Sequence, residues 1–169
     1  FVEKQKISQA DMDAAVSRIS YVSELSGIAG ANWVVEAIVE DAKVKKDLFA
    51  NLASMFPSDD VVLATNTSSI SITEIAAATG KAAHRVVGMH FFNPVPLMAL
   101  VEVIPGIQTS KDVVERTIAL ATKMGKTPLK ANDRAGFISN RVLMPMINEA
   151  FYAWMEGVAE PEAIDGIMK

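Results

Sequence analysis

The sequence predicts an α/β protein built on a mostly parallel sheet, and three observations predict it. Four short β-branched runs, at residues 33–39, 61–66, 85–91 and 100–104, are unbroken rather than alternating, as strands buried on both faces require. The segments between them place apolar residues at helical spacing. Half of the 169 residues are hydrophobic and only 21% charged, enough apolar mass for a real core.

Taken in order, residues 2–7 read as the end of a helix, and Ser8 can cap a second one carrying Met12, Val16 and Ile19. Residues 1–26 are therefore expected to form a helical hairpin, and the loop SGIAGAN leads from it to the first strand. Val44, Leu48, Leu52 and Met55 then make a helical stripe, with Pro57 just beyond its end. SITE offers a capping box from Ser71 to Glu74, with Gly80 as the stop. Ser110 caps a helix bearing Val114, Thr117, Ile118 and Ala121, ended by Gly125. A last strand is expected at residues 127–131, where Pro128 suits a sheet edge. From Gly136 the texture is helical: Phe137, Val142, Ile147, Ala150, Phe151 and Trp154 mark one long helix that Pro145 should kink, and Glu160-Pro161 opens another. A domain boundary is expected near Asp133, giving units 1–132 and 133–169.

Composition excludes several function classes. A formal net charge of −4 argues against nonspecific attraction to nucleic acid or to an acidic membrane surface. Without cysteine there is no disulfide framework, thiolate nucleophile or thiolate metal site, which suits a reducing compartment such as the cytoplasm, or the mitochondrial matrix in a eukaryote. No apolar run approaches the ~20 residues that span a bilayer. His84 and His90, without an acidic ligand at metal spacing, make no recognisable metal site. The chain also carries no Gly-x-Gly-x-x-Gly fingerprint and no phosphate loop.

In open α/β sheets ligands bind beyond the carboxyl ends of the strands. Those ends carry Glu40, the run Asn66 to Ser69, and His90, three polar groups expected to converge on one crevice. Flanked by Met89, Phe91 and Phe92, His90 by itself reads as a hydrogen-bonded core residue; the strand end makes it a candidate base. Glu102 stands inside the apolar run LVEVI, where an unpaired carboxylate is costly to bury. The connection FNPVPLMA is short, so the chain can fold back and bring Glu102 beside His90. Such a pair either satisfies a polar core or fixes the imidazole tautomer and stabilises its cation, leaving the other nitrogen to take a proton. Ser68 reads as a turn residue or as a donor to a substrate oxygen. The lysines of DAKVKKD oppose the dipole of the helix they begin, and a solvated face accounts for them better than an anion contact.

In combination the motifs become specific. VVEAIVED, KVKKDLF, ATNTSSISIT, GMHFFNPVPLMALVEVI and GFISNRVLMPMINEA, in this order and spacing, closely resemble the 3-hydroxyacyl-CoA dehydrogenase family, and HFFNPVP is most similar to its monofunctional members, including bacterial 3-hydroxybutyryl-CoA dehydrogenases. The resemblance implies a Rossmann-type NAD-binding domain with a helical hairpin, followed by the start of an all-helical domain through which the family dimerises. It implies oxidation of an (S)-3-hydroxyacyl-CoA of short chain, with His90 as general base, Glu102 paired to it, Ser68 on the substrate oxygen and Asn140 holding substrate near the base. Glu40, Lys45 and, more weakly, Asn93 fall where the family contacts NAD, and Lys4 and Lys6 where the hairpin touches CoA.

The family's Gly-rich βαβ unit would precede Phe1, so the chain is expected to be part of a longer protein. Two other readings stay open. One is a noncatalytic product, a truncated remnant or a structural relative, unable to bind NAD. The other is a dehydrogenase acting on a 3-hydroxy acid without CoA; such families usually place a lysine as the base, and the His90–Glu102 pair points away from them.

Overall fold

A computed structural model describes residues 7–169. They belong to two compact units, Phe1–Ala31 and Asn32–Lys169. In the first, Ser8 caps α1 (Gln9–Val16) with a full capping box: its hydroxyl accepts from the Asp11 N–H, and the Asp11 carboxylate accepts from the Ser8 N–H. This helix ends at Val16, so Ile19 lies beyond it, and SGIAGAN is not simply a loop, because Leu25–Ile28 forms a 3₁₀ turn. The preceding helix end, with Lys4 and Lys6, lies outside the described residues.

The second unit is a five-stranded sheet in sequence order, β1 (Trp33–Glu36), β2 (Val62–Thr65), β3 (Val86–Phe91), β4 (Leu100–Pro105) and β5 (Thr127–Lys130). β1, β2 and β3 are parallel, joined by crossovers that contain α2 (Ala42–Met55) and α3 (Ile72–Ala77). β4 runs antiparallel to β3, because residues 92–99 are too few for a crossover and can only turn the chain back. α4 (Lys111–Lys123), capped by Ser110, returns the chain to β5, which lies parallel to β4 at the sheet edge. The sheet is thus mixed and mostly parallel, as the sequence predicts.

Val62, Ala64, Val87, Met89, Val101 and Val103 pack with Val113, Val114 and Ala121 of α4 into one core. At ~1.5–3 kcal/mol for each aliphatic side chain fully removed from water, this layer anchors the strand ends that carry the polar groups. At Gly88 of β3 any Cβ would come within 2.8 Å of Ile72 Cδ1 and 2.9 Å of Ile104 Cβ, so only glycine lets α3 seat this closely.

Three expectations shift. β1 ends at Glu36 rather than Val39, because the Glu36 carboxylate accepts the Ile38 N–H at 2.6 Å and draws the chain out of the sheet. The buried face of α2 is Lys45, Phe49 and Leu52, one residue round from the predicted stripe, leaving Val44 44% exposed. α5 (Ser139–Met155) contains Pro145, whereas Phe137 precedes the helix with a positive φ of 48°. α6 (Pro161–Met168) opens with Pro161 at its first turn. Among the described residues no helix is long and apolar enough to cross a membrane.

Candidate active site

Hydrogen bonds join neighbouring strand ends in pairs: β3 to β4, β2 to β3, and the turn after β2 to Glu40. His90, near the end of β3, lies directly opposite Glu102 on β4, and its Nδ1 is 2.8 Å from Glu102 Oε2. Both are buried, His90 to 7% exposure and Glu102 to 2%. The rings of Phe92 and Phe137 stand 4.8 and 5.9 Å from the imidazole, which keeps bulk water from its faces.

Glu102 has three more donors. The Ile138 and Ser139 N–H groups reach Oε1 at 3.1 and 3.0 Å, and the Ser139 hydroxyl reaches Oε2 at 3.0 Å. Burial pushes this carboxyl up, but the bonds from His90, from the Ser139 backbone and hydroxyl, and from Ile138 outweigh it and leave Glu102 below the usual carboxylate range. An ionised carboxylate only accepts, so in the neutral imidazole it selects the tautomer with the proton on Nδ1 and the lone pair on Nε2. That is the tautomer a general base needs.

Glu40 closes the next strand end. Its Oε1 accepts from the Thr67 hydroxyl at 2.5 Å, the Ser68 N–H at 2.8 Å, the Ser69 N–H at 3.1 Å and the Ser69 hydroxyl at 3.2 Å. Burial raises the Glu40 carboxyl, and the Thr67, Ser68, Lys45 and Ser69 interactions together bring it below its ordinary value. Ser68 itself is exposed, and its carbonyl accepts from Asn140 Nδ2 at 3.1 Å, so α5 meets the β2 end here. The Asn66 side chain accepts the Phe91 N–H at 2.8 Å and ties the β2 end to the β3 end. Asn93 lies three residues past His90 in the exposed loop after β3.

The solvated-face expectation holds for Lys43, whose side chain is 85% exposed, and fails for Lys45, which is 1% exposed. Lys45 Nζ lies 2.6 Å from Glu36 Oε1 and 3.4 Å from Glu40 Oε2. The Thr65 hydroxyl donates to the other Glu36 oxygen at 2.7 Å. Core position overrides the unfavourable helix dipole, because the ammonium has two carboxylates to meet. Sequence reasoning missed Glu36 and Ser139. Glu36 is a glutamate in an apolar run, the same signal that marks Glu102, and its partner was in DAKVKKD. Ser139 carries no such signal, since nothing local says which carboxylate it will face.

Asp133 anchors the start of α5 to α3. It accepts from the Ser71 hydroxyl, the Ile72 and Thr73 N–H groups and the Thr73 hydroxyl, and these bonds outweigh burial to hold it below its ordinary value. At Gly136 a φ of 76° and a Cβ that would sit 2.9 Å from the Arg141 N require glycine at the turn into α5. A cleft of about 500 Å³, lined by Ser69, Gly136, Asn140, Arg141 and Pro145 among others, opens beside Asn140. Among the described residues no cluster of three or more His, Asp or Glu side chains stands where it could hold a metal ion.

Three of the depressed carboxyls, those of the sheet unit, give a pH dependence of fixed sign. A carboxyl whose folded pKa is lowered contributes stability above its unfolded value and loses it as pH falls through the folded value. For Glu40, Glu102 and Asp133 the ordinary values are 4.5, 4.5 and 3.8. The urea midpoint is therefore expected to stay level from about pH 7 to 5 as far as these groups decide it, and to fall below about pH 4. A midpoint that rises on acidification would contradict the geometry.

Comparison with known proteins follows the same lines. Residues 1–134 match the model described as 3-hydroxyacyl-CoA dehydrogenase, NAD binding domain, and residues 136–169 the C-terminal domain of that family. A probable 3-hydroxybutyryl-CoA dehydrogenase of Deinococcus radiodurans is 53% identical over 99% of the chain and 59% of its own length. That of Bacillus subtilis is 50% identical over 99% of the chain and 58% of its own length. Among solved structures, (S)-3-hydroxybutyryl-CoA dehydrogenase from Ralstonia eutropha superposes with a TM-score of 0.90 at 42% identity, covering 96% of this chain and 56% of that one. The chain thus spans somewhat over half the length of each.

Proposed function

The chain belongs to the 3-hydroxyacyl-CoA dehydrogenase family, and from that membership we propose that it carries the catalytic side chains of an NAD-dependent enzyme interconverting (S)-3-hydroxyacyl-CoA and 3-oxoacyl-CoA, with short-chain substrates such as 3-hydroxybutyryl-CoA. The observation that carries this reading is the buried His90–Glu102 pair at 2.8 Å, its tautomer set by an ionised carboxylate.

His90 Nε2 takes the 3-hydroxyl proton, and Glu102 stabilises the resulting imidazolium. In the reverse direction the imidazolium returns that proton to the forming hydroxyl. The Ser68 hydroxyl, exposed at the β2 end, orients the substrate oxygen, and Asn140, which touches the Ser68 carbonyl, keeps the acyl group at the base. Bound NAD would supply the acceptor for the hydride that leaves C3. The strand-end residues suit that cofactor: the Glu40 side chain is 40% exposed, and the neighbouring Ile38 and Val39, 43% and 65% exposed, offer apolar surface. Asn93, exposed in the loop after His90, is assigned to the cofactor side, whereas Lys45, buried against Glu36, serves the cofactor by setting Glu40.

Residues 1–132 are assigned to the NAD-binding domain, with a helical dimerisation domain beginning at Asp133. Support for a homodimer is the exposed apolar face of α5 and α6, where Met146, Ile147, Phe151, Trp154, Ile164 and Met168 border a pocket of about 330 Å³.

The test is an assay of the complete gene product. Saturable oxidation of NADH with acetoacetyl-CoA is expected, and acetoacetate at the same concentration should turn over at a small fraction of that rate. Equal rates would favour a dehydrogenase that ignores CoA. No turnover by a folded protein would favour the noncatalytic reading.

A further inference from the structure

Glu40 does more than border the crevice. One oxygen, Oε1, accepts from four groups within three consecutive residues, Thr67 to Ser69, including the backbone N–H of Ser68 itself. These residues leave β2 with no sheet partner for their N–H groups, since pairing with β1 ends at Thr65. Among the described residues the Ser68 N–H has Glu40 as its acceptor, and the segment between Thr65 and α3 is shaped around that carboxylate. Oε2 lies 3.4 Å from Lys45, whose ammonium is fixed by Glu36, so the side chain that shapes the turn is itself held from the sheet side.

We propose that Glu40 is a positioning residue for Ser68: by gathering the N–H groups of residues 68 and 69 on one oxygen, it aims the Ser68 hydroxyl at the substrate oxygen. The proposal rests on the reading of Ser68 given above. It separates two tasks within one carboxylate. Oε1 shapes the substrate side, while Oε2 faces Lys45. Loss of Glu40 must therefore disturb acyl-CoA binding through Ser68, and must loosen the Ser68 turn even with no cofactor bound. A role confined to cofactor contact makes neither demand.

Glu40→Ala and Glu40→Gln in the complete gene product test this. Without cofactor, the amide protons of Ser68 and Ser69 are expected to exchange about tenfold faster or more in Glu40→Ala, because a hydrogen bond to a charged acceptor is lost, while those of β2 (Val62–Thr65) stay protected. At saturating NADH, the KM for acetoacetyl-CoA should rise about tenfold. Glu40→Gln, which keeps one acceptor oxygen and loses the charge, should fall between wild type and alanine in both measurements. Unchanged exchange at Ser68 and Ser69 with only the KM for NADH raised would overturn the proposal in favour of cofactor contact alone. Equal acceleration across β2 would overturn it in favour of general packing. If wild type turns over no acyl-CoA while the exchange behaves as stated, the functional reading fails and the shaping of the turn by Glu40 stands.

Discussion

His90→Gln in the complete gene product is expected to lower kcat for acetoacetyl-CoA reduction by about 10²- to 10⁴-fold, the usual contribution of a positioned acid–base group. Glutamine keeps a hydrogen bond to Glu102 and most of the ring's volume, so the carboxylate stays paired and the fold should survive. What it lacks is a nitrogen able to carry the substrate proton in either direction. KM for the acyl-CoA should change little, because the group acts in the transition state more than in binding. Steady-state kinetics beside circular dichroism checks the expectation, and a variant with more than about a tenth of wild-type kcat would remove His90 from the role of base.

Lys45→Met is expected to destabilise the protein by about 3–5 kcal/mol, the cost of breaking a buried ion pair by removing one partner. Methionine matches the lysine stem, so packing beside Phe49 and Leu52 is retained. Glu36, 4% exposed, is left with the Thr65 hydroxyl and the Ile38 N–H against a full negative charge. Urea unfolding with an unchanged m value would report this as a loss of stability alone. The double variant Glu36→Leu/Lys45→Met should recover part of the loss, since no charge stays buried, although Thr65 and Ile38 then lack their acceptor. A single variant within about 1 kcal/mol of wild type would mean that Glu36 reaches water and that the pair with Lys45 adds little to stability.

Both expectations turn on how much of the site can be read before folding. His90 and Glu102 are legible together because an apolar strand does not tolerate an unpaired carboxylate, and because the short FNPVPLMA connection forces the next strand back alongside. The same rule applies to Glu36, yet beside the helix dipole its partner reads as a solvated lysine. The apolar spacing of α2 puts Val44 inward and Lys45 outward, one residue from the observed face, although Leu52 belongs to both stripes. Hydrophobic spacing cannot resolve that step when Val44 and Lys45 are adjacent and the core accepts a paired ammonium.

Local chemistry by itself determined the elements: unbroken β-branched runs for buried strands, Ser8, Ser71 and Ser110 as caps, Pro128 at an edge strand, and the motif order that marks the family. These depend on neighbours within a few residues, and a sequence carries that information directly. Only the tertiary structure decided which polar groups share a hydrogen bond: Glu40 with the Ser68 turn, Ser139 with Glu102, Asp133 with the start of α3. Each of these joins residues 28 to 60 positions apart. Many hydroxyls and carboxylates in the chain are chemically able to make such bonds, and the packing of strands and helices selects the few that lie within 3 Å or so.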